Sequence, residues 1–579
     1  MSSEQPKAEQ SLPERPKEGG DASAPPAEGE AAAAPSKNAL KKAAKEKEKA
    51  EKAARRAAAE AQQKTAAAAS DVSADRYGDL PMVGSVPYAG PSGETRIKLA
   101  DLASAYPADG DAPPADTTVV FRAVVETARV QSAKLAFVSL RQGLDNIQGV
   151  VAASDEGGIS RQMVKWCGGV SPESMVLVHG GVARPKEPVK SASVQHLEIH
   201  IGKLFVISKA EVPLPLQIED AERPLPGEGK DAADEAQEAA AGRPIVGLNT
   251  RLNNRVLDLR GKHNHAIFTI KEGVCALFTE FLRARGFVGI QTPKMMGAAT
   301  EGGSNVFEVT YFERKAYMAQ SPQLHKQMLV ASRFERVFEI GPIFRAENSN
   351  TARHLTEFTG LDLEMAFEED YHEVVKLIED LMLYMFKGLR ERYKKETDLV
   401  RSLYHVDEFQ LPEEGKVPRI PFKEGIHMLR EDGADVGDYD DLSTPDEKRL
   451  GALVLKKYHT DFYVLDQFPL GVRPFYTMPS PADPHASNSY DFFMRGQEIM
   501  SGAQRVHDAR FLVRRMRAMD PPLDPDQPGL KDYVDAFRYG CPPHAGGGLG
   551  LERIVMLWLG LPNIRLACLF PRDPQRLMP

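Results

Sequence analysis

The chain has 579 residues, more than one hydrophobic core usually supports, so we expect two or three domains. It carries 73 Lys and Arg against 82 Asp and Glu, a net charge of −9, so any nucleic-acid contact must be local. Four widely spaced cysteines without a C-x-x-C pair argue against a zinc site or a secreted disulfide framework. The chain lacks an apolar export segment and any apolar run long enough to span a bilayer, so we expect a soluble, cytoplasmic protein.

The first 70 residues predict no packed domain. Residues 1–36 are rich in Ala, Pro, Glu, Gly and Ser and predict a disordered tail, because they cannot bury enough apolar surface to offset the entropy of ordering. Residues 37–70 change to Ala, Lys, Arg and Glu, which predicts a helical extension with no apolar face. That extension is either a solvated helix or a basic arm that binds phosphates.

A small barrel is predicted next, within residues 100–212. Its five short alternating segments are 119–127, 135–140, 147–152, 175–183 and 197–207. A helical segment at 160–166 separates the third from the fourth, which is the order of an OB-fold, a barrel that commonly binds single-stranded nucleic acid. A stretch rich in Pro, Gly and acidic residues at 213–247 predicts a hinge linker, and residues 248–579 form the second folded domain.

Two helices are predicted early in the second domain. Apolar residues at helical spacing predict the first at 272–287, followed by an extended stretch at 288–292 and then Pro293. The second follows Ser321 and Pro322, which read as an N-cap and a first-turn proline. The spacing of Gln323 and Lys326 puts both side chains on one face of that helix, so both can reach one ligand.

Residues 344–358 read as strand, polar loop, strand, and predict a nucleotide site without a Walker loop. Alternation separates a polar face from an apolar face. The polar face carries Glu339, Gly341, Ile343, Arg345 and Glu347 before the loop, and Phe358, Gly360, Asp362 and Glu364 after it. Gly360 leaves room for a flat ring over Phe358 and an ammonium group at Asp362, while Arg345 can hold a phosphate. An ordinary half-buried hairpin is the alternative, but it would not explain the polar face.

Five segments, in this order, carry a family resemblance: 300–304, 320–326, 344–365, 490–505 and 546–553. Together they resemble the class IIb aminoacyl-tRNA synthetases, and among these the aspartyl-tRNA synthetase family of the eukaryotic, fungal-like cytosolic type, over residues 119–579. The resemblance implies an α+β protein, with an N-terminal OB-fold barrel followed by a catalytic domain of antiparallel sheet flanked by helices. It also implies ATP-dependent attachment of L-aspartate to tRNA(Asp) through an aspartyl-adenylate.

The resemblance assigns roles to residues of the second domain. Catalytic roles are implied for Arg345, Glu498 and Arg553. Aspartate-binding roles are implied for Glu301, Ser321, Gln323, Lys326, Arg345, Asp362, Ser501 and Arg505. ATP-binding roles are implied for Arg345, Glu347, Arg353, His354, Leu355, Phe358, Glu498, Gly550, Leu551, Glu552 and Arg553. Magnesium would be held with the ATP phosphates by Asp491, Glu498 and Ser501, since hard oxygen ligands suit that ion.

Further roles concern tRNA and assembly. Anticodon contacts are implied for Arg129, Phe137, Gln148 and Glu198. Contacts of the basic extension with tRNA are implied for Lys37, Lys41, Lys42 and Lys45. Residues 300–304 resemble a mobile loop that closes over the amino acid. A homodimer is implied, with Pro293 at its interface.

One detail of the second domain follows from the residues themselves. Strict alternation from Glu498 would place Ser501 and Arg505 on the opposite face, so we predict a bulge near Ser501 and Gly502.

The resemblance implies that Lys326 and Arg505 both face the side-chain carboxylate of the substrate. Two such cations would select aspartate over asparagine, because a neutral amide would leave desolvated cations unpaired.

Two alternatives remain open. An asparaginyl-tRNA synthetase would share both folds, and Lys326 with Arg505 is what argues against it. A catalytically dead paralogue that binds RNA or regulates another protein would have lost Arg345, Glu498 or Arg553, and all three are present.

Overall fold

The structure is a computed structural model of the chain, and it describes Lys52 and residues 71–87, 93–154, 158–223, 244–298, 306–404 and 406–579. The predicted tail, the four lysines of the basic extension, most of the predicted hinge and Glu301 with its loop lie outside the described residues. All four cysteines are described, and none of them forms a disulfide. Within the described residues, every helix is too short or too polar to cross a membrane.

The first folded unit is a closed β-barrel, as the alternating segments predict. Its strands are β1 (Tyr77–Asp79), β2 (Thr118–Ser132), β3 (Leu135–Gln142), β4 (Asp145–Ala152), β5 (Met175–Ala183) and β6 (Glu198–Ser208). They run in the order β1-β6-β4-β3-β2-β5, and pairing of β5 with β6 closes the barrel through five strands. Helix α1 (Leu99–Ala105) precedes β2, and helix α2 (Arg161–Cys167) lies between β4 and β5. This is the strand and helix order expected of an OB-fold.

Alternation explains why these segments form a barrel. In β3 the side chains of Ala136, Val138 and Leu140 are completely buried, while Phe137 and Ser139 point outward. Helix α2 begins where expected, because the Ser160 hydroxyl accepts a hydrogen bond from the Met163 backbone N–H and so caps the first turn.

The second unit is built on an eight-stranded sheet. Its strands in chain order are β7 (Val288–Gly289), β11 (Arg336–Phe344), β12 (Glu357–Ala366), β13 (Arg419–Pro421), β14 (Phe462–Asp466), β15 (Ser489–Met494), β16 (Gln497–Gln504) and β17 (His544–Gly550). The spatial order is β13-β14-β15-β16-β17-β12-β11-β7. The six central strands pair antiparallel, and only the outermost pairs, β13–β14 and β11–β7, are parallel. The predicted antiparallel catalytic sheet is confirmed.

A small sheet and a set of helices surround the large sheet. The small sheet contains β8 (Met295–Met296), β9 (Glu308–Tyr311) and β10 (Arg314–Met318). The helices are α3 (Ile218–Ala221), α4 (Leu248–Asn253), α5 (Arg255–Asp258), α6 (Lys262–Arg283), α7 (Gln323–Ala331), α8 (His372–Arg392), α9 (Lys394–Arg401), α10 (Phe422–Glu431), α11 (Thr444–Tyr458), α12 (Ala509–Arg517), α13 (Lys531–Arg538) and α14 (Leu551–Leu559). Helix α6 begins ten residues before the predicted start.

One face of the large sheet is covered by a hydrophobic core. Leu361, Leu363 and Met365 of β12 alternate into it, together with residues of helices α6, α8 and α14. Trp558 of α14 stacks on Phe386 of α8, with ring centroids 5.8 Å apart and planes 5° from parallel. Because these helices occupy that face, the polar residues of β12 point to the opposite face, which stays open to a ligand.

Candidate active site

A cavity of about 250 Å³ opens on the polar face of the large sheet. It is lined by residues of β11, β12, β16 and β17, by the loop between β11 and β12, and by the start of α14. The sequence-predicted residues in its wall are Ser321, Gln323, Arg345, Glu347, Arg353, His354, Leu355, Phe358, Asp362, Glu498, Ser501, Arg505, Gly550, Glu552 and Arg553. Strand register therefore brings together residues that are up to 232 positions apart in sequence.

The glycine run of β17 makes room for two carboxylates of β12. Gly548 lies opposite Asp362, and Gly546 lies opposite Glu364. A Cβ atom added at Gly548 would come within 2.7 Å of Asp362 Oδ1, and one at Gly546 within 2.4 Å of Glu364 Oε2. Any larger residue would displace these acids, so the glycines shape the floor of the cavity as well as admitting a ligand.

The two predicted cations meet at these carboxylates. Arg505 is 3% exposed; its Nε donates to Glu364 Oε1 at 3.0 Å, and its Nη2 donates to Gln323 Oε1 at 3.2 Å and to the Gly546 carbonyl at 2.9 Å. Lys326 is 2% exposed, and its Nζ lies 3.1 Å from Asp362 Oδ1 and 3.4 Å from Glu364 Oε2. Gln323 and Lys326 share one face of helix α7, as their spacing predicts.

Glu364 is the residue that holds this group together. Burial raises the pKa of its carboxyl, but Arg505 and Lys326 more than compensate, so the net pKa is lowered and the group is ionised. Four charges, two positive and two negative, then sum to zero before any substrate binds. Alternation predicts that Glu364 lies on the ligand face but gives it no role, because its partners become visible only with the strand register.

The predicted metal ligands are gathered by a bulge in β16. Phe492 lies opposite Met500 and Phe493 opposite Glu498, which leaves Ile499 as the extra residue. The bulge is confirmed, two residues before the predicted position. It places Glu498 on the same sheet face as Ser501, whose cross-strand partner is Asp491.

Arg473 joins this group and was missed by sequence analysis. Its Nη2 donates to Asp491 Oδ2 at 2.8 Å, and its Nη1 donates to Ser501 Oγ at 2.7 Å. Burial raises the pKa of the Asp491 carboxyl to about 6, opposed by the Arg473 guanidinium and reinforced by Glu498. Nothing in the periodicity around Arg473 distinguishes it from a surface arginine, because its partners belong to β15 and β16.

At the other end of the cavity, the aromatic ring of Phe358 lies near two arginines, Arg345 and Arg553, and is called the shelf below. The guanidinium carbon of Arg345 lies 5.6 Å from the ring centroid of Phe358. Arg553 is fixed at the start of α14, where its Nη1 donates to the Glu498 backbone carbonyl at 2.8 Å. Together these residues offer an aromatic surface and two positive charges, which suits a base and a polyphosphate.

Some predicted residues make structural contacts, either in addition to lining the cavity or instead of lining it. Glu552 lines the wall but is also engaged elsewhere, since its carboxylate accepts from Lys271 Nζ at 2.8 Å and from the Thr359 backbone N–H at 3.0 Å. Leu551 is packed in the hydrophobic core. Lys326 and Asp491 are buried next to residues of the cavity wall and make the contacts described above. The Ser321 hydroxyl accepts from the Gln323 N–H at 3.2 Å, although the N-cap position of α7 is Pro322.

The family model described as class II tRNA synthetases for D, K and N matches residues 247–574. The chain belongs to this family. The human cytoplasmic aspartate–tRNA ligase is 51% identical over 465 residues, which are 80% of this chain and 89% of the human protein. The solved structure of an Entamoeba histolytica aspartyl tRNA synthetase has 43% identity and a TM-score of 0.77, covering 87% of this chain and 96% of its own.

A solved Pyrococcus horikoshii asparaginyl-tRNA synthetase complexed with asparaginyl-adenylate is less similar to this class II synthetase. It has 30% identity and a TM-score of 0.67, over 80% of this chain and 96% of its own. The resemblance to the aspartyl-tRNA synthetases is confirmed, because the chain is similar to the aspartate–tRNA ligases of several organisms. These relatives are named cytoplasmic ligases, which confirms the expected cytoplasmic location. Enzymes of this family use ATP, which fits the nucleotide site expected from the hairpin.

The four predicted anticodon residues of the synthetase lie together on the outside of the barrel. Arg129 lies opposite Phe137, and its guanidinium carbon is 5.7 Å from the Phe137 ring centroid. Gln148 lies opposite Glu198 and donates to its Oε2 at 3.1 Å. Phe137 is half-buried and does not belong to the barrel core, and the four side chains form one outer patch.

Proposed function

We propose that this class II synthetase carries out both steps of an aspartate–tRNA ligase, activating L-aspartate with ATP and transferring it to tRNA(Asp). The observation that supports this most strongly is a buried guanidinium, that of Arg505, held by Glu364 at the wall of a cavity that also contains a cation-flanked aromatic shelf. A guanidinium fixed in this way at a cavity wall suits a charge-assisted hydrogen bond to a small carboxylate. The shelf at Phe358 then takes adenine.

The chemistry needs no protein nucleophile. The α-carboxylate of aspartate, ionised near neutral pH, forms a bond to the α-phosphorus of ATP, and the bond from that phosphorus to the bridging oxygen breaks to release pyrophosphate. Arg345 holds the α-phosphate, and Arg553 faces the leaving phosphates. Catalysis is then positioning and electrostatic stabilisation of charge on the phosphoryl oxygens. The terminal ribose hydroxyl of tRNA takes the aspartyl group in the second step.

Magnesium belongs to this proposal, and the donor set fits it. Asp491 Oδ1 is buried without a hydrogen-bond partner, beside Ser501 and near Glu498, and all three residues offer oxygen ligands. No group of three or more His, Cys, Asp or Glu suited to a metal occurs among the described residues, which agrees with an ion held largely by phosphates. Bound there, Mg²⁺ would neutralise charge on the phosphates of ATP. Asp491 and Glu498 would hold it, with Ser501 beside them.

Two charged groups of aspartate have proposed partners at the amino-acid end of the site. Asp362 receives the ammonium group, and Arg505 receives the side-chain carboxylate. Glu364 accepts from the guanidinium of Arg505, and Lys326 pairs with Glu364 and Asp362. Ser321 and Gln323 border the same space. We also include Glu301 as a lid residue on the strength of the family resemblance.

A homodimer is part of the proposal. Pro293 is exposed and follows β7, the edge strand of the large sheet. Val288 and Met295 in the same segment are 47% and 55% exposed. An edge strand with exposed apolar neighbours suits pairing with a second copy of the chain.

Replacing Phe137 with alanine should separate the two steps of the reaction. We expect aspartate-dependent pyrophosphate exchange to stay within about twofold of the unchanged protein, while kcat/KM for tRNA charging falls about 10- to 100-fold, because one base-stacking contact is lost. A Phe205→Ala variant is the matched control, since Phe205 lies on β6 outside the outer patch. An equal loss of tRNA charging in both variants would contradict an anticodon-binding role for Phe137.

The proposed function is tested by incubating the full chain with ATP, Mg²⁺, aspartate and labelled pyrophosphate, then with tRNA. We expect label to enter ATP only when aspartate is present, and aspartate to become attached to tRNA. Absence of aspartate-dependent exchange would support the dead-paralogue alternative. Aspartate-dependent pyrophosphate exchange without attachment of aspartate to tRNA would contradict only the proposed transfer step.

A further inference from the structure

Arg353 of the loop between β11 and β12 is held by a helix more than 90 residues away in the chain. Its Nη1 donates to Glu447 Oε2 at 3.1 Å, and its Nη2 donates to Thr444 Oγ1. Both partners lie in the first two turns of helix α11. Arg353 lines the cavity, whereas Glu447 and Thr444 are absent from its wall. The helix therefore contacts Arg353 from the side opposite to a bound ligand.

Two glycines place helix α11 at this position. A Cβ atom added at Gly451 would lie 2.3 Å from Gly496 Cα, and one at Gly496 would lie 2.9 Å from the Glu447 carbonyl oxygen. Gly496 forms the turn between β15 and β16 with φ of +66°, a conformation that favours glycine. The helix thus packs backbone against backbone on that turn, which brings Glu447 close to Glu498, two residues further along β16.

Glu447 is enclosed and depends on Arg353 for its charge. Its side chain is 10% exposed. Burial and the nearby Glu498 raise the pKa of its carboxyl to about 7, although Arg353 and Arg553 oppose the shift. The phenol of Tyr463 on β14 faces the same space. Burying a carboxylate beside a second acid costs free energy unless a cation pairs with it. The ion pair with Arg353 therefore holds both side chains in a defined geometry.

We propose that Glu447 is a positioning residue for the triphosphate of ATP. It holds the guanidinium of Arg353 in place at the wall of the cavity. This inference rests on the proposed function. A long arginine in a loop otherwise has many orientations, and fixing it in advance lowers the entropy lost when the nucleotide binds. Glu447 does not touch the nucleotide, so its effect passes through Arg353.

The test compares Glu447→Ala and Glu447→Gln in pyrophosphate exchange, with KM measured separately for ATP and for aspartate. We expect Glu447→Ala to raise KM for ATP about tenfold, the value of one charge-assisted hydrogen bond, with KM for aspartate within about twofold. Glu447→Gln keeps an acceptor for Arg353, so it should recover part of the loss. Lys457→Ala is the matched control, because Lys457 lies on the same helix in an exposed pair with Glu424, away from the cavity.

A double mutant shows whether the effect passes through Arg353. In an Arg353→Ala background, Glu447→Ala should change KM for ATP by less than about twofold, since the guanidinium that it positions is gone. An unaltered KM for ATP in Glu447→Ala, or a full tenfold effect in both backgrounds, would overturn the inference. Equal loss of ATP and aspartate affinity together with a lower melting temperature would show a merely structural role. Failure of the proposed function is distinct, because the unchanged chain would then show no aspartate-dependent exchange.

Discussion

An Arg505→Lys variant should lose aspartate-dependent pyrophosphate exchange about 100- to 1000-fold in kcat/KM for aspartate. The guanidinium uses Nε and Nη2 to contact Glu364, Gln323 and the Gly546 carbonyl, and it still borders the cavity. A lysine ammonium is a single point of charge and cannot make the two-nitrogen contact with Glu364 while also facing a ligand. The loss should fall on aspartate binding, with KM for ATP little changed.

The matched control for this substitution is Arg510→Lys, since Arg510 is exposed on helix α12, five residues further along the chain. Thermal unfolding of both variants shows whether the core of the site survives. If Arg505→Lys keeps kcat/KM for aspartate within about threefold of the unchanged protein, the guanidinium is not the group that binds the substrate carboxylate.

A Glu498→Gln variant should reduce kcat for pyrophosphate exchange about 100- to 1000-fold and raise the Mg²⁺ concentration needed for half-maximal rate. The amide is nearly the same size as the carboxylate but has no charge to hold a divalent ion. The backbone carbonyl of residue 498 still accepts from Arg553, so the start of helix α14 should stay in place.

The exposed Glu313, in the turn between β9 and β10, provides the control Glu313→Gln, for which we expect unchanged Mg²⁺ dependence. A Glu498→Gln variant with normal kcat and normal Mg²⁺ dependence would remove Glu498 from the metal site. Loss of kcat with an unchanged Mg²⁺ requirement would instead assign Glu498 to the substrates alone.

The buried acids refine how aspartate is distinguished from asparagine. From the family resemblance we expected two cations, Lys326 and Arg505, to face the substrate carboxylate without another partner. In the structure both cations already contact Glu364. Because they are partly paired, the free-energy penalty for binding the neutral amide of asparagine is smaller than it would be with two unpaired cations. Under the proposed function, we therefore expect selection to depend on the geometry of the Arg505 guanidinium, which the network fixes in advance.

Local patterns predicted the local elements well. The five barrel strands were found because buried and outward-facing residues alternate along most of each strand, and helix α2 was found as a helical segment between the third and fourth strands. Helix α6 was placed too short, because His263, Asn264 and His265 hide the apolar stripe that Ile267 and Ile270 continue. Alternation along β16 is interrupted at Ile499, where the bulge shifts the register and so places Glu498 and Ser501 on the same face of the sheet.

Contacts between distant segments could not be read from the sequence. The pair of Glu364 with Arg505 spans 141 positions, and the pair of Arg353 with Glu447 spans 94. Each depends on a register or a helix packing that local periodicity does not encode. Motif spacing located the residues that line the cavity, whereas the residues that support them appeared only with the fold.

The ratio of kcat/KM for aspartate to kcat/KM for asparagine, measured by pyrophosphate exchange on the unchanged chain, tests the central claim most directly. We expect a preference for aspartate of at least about 100-fold, since a site built to pair a carboxylate rejects the neutral amide by several kcal/mol. Equal rates with the two amino acids, or a preference for asparagine, would contradict the assignment of Arg505 and its network as the determinant of the substrate.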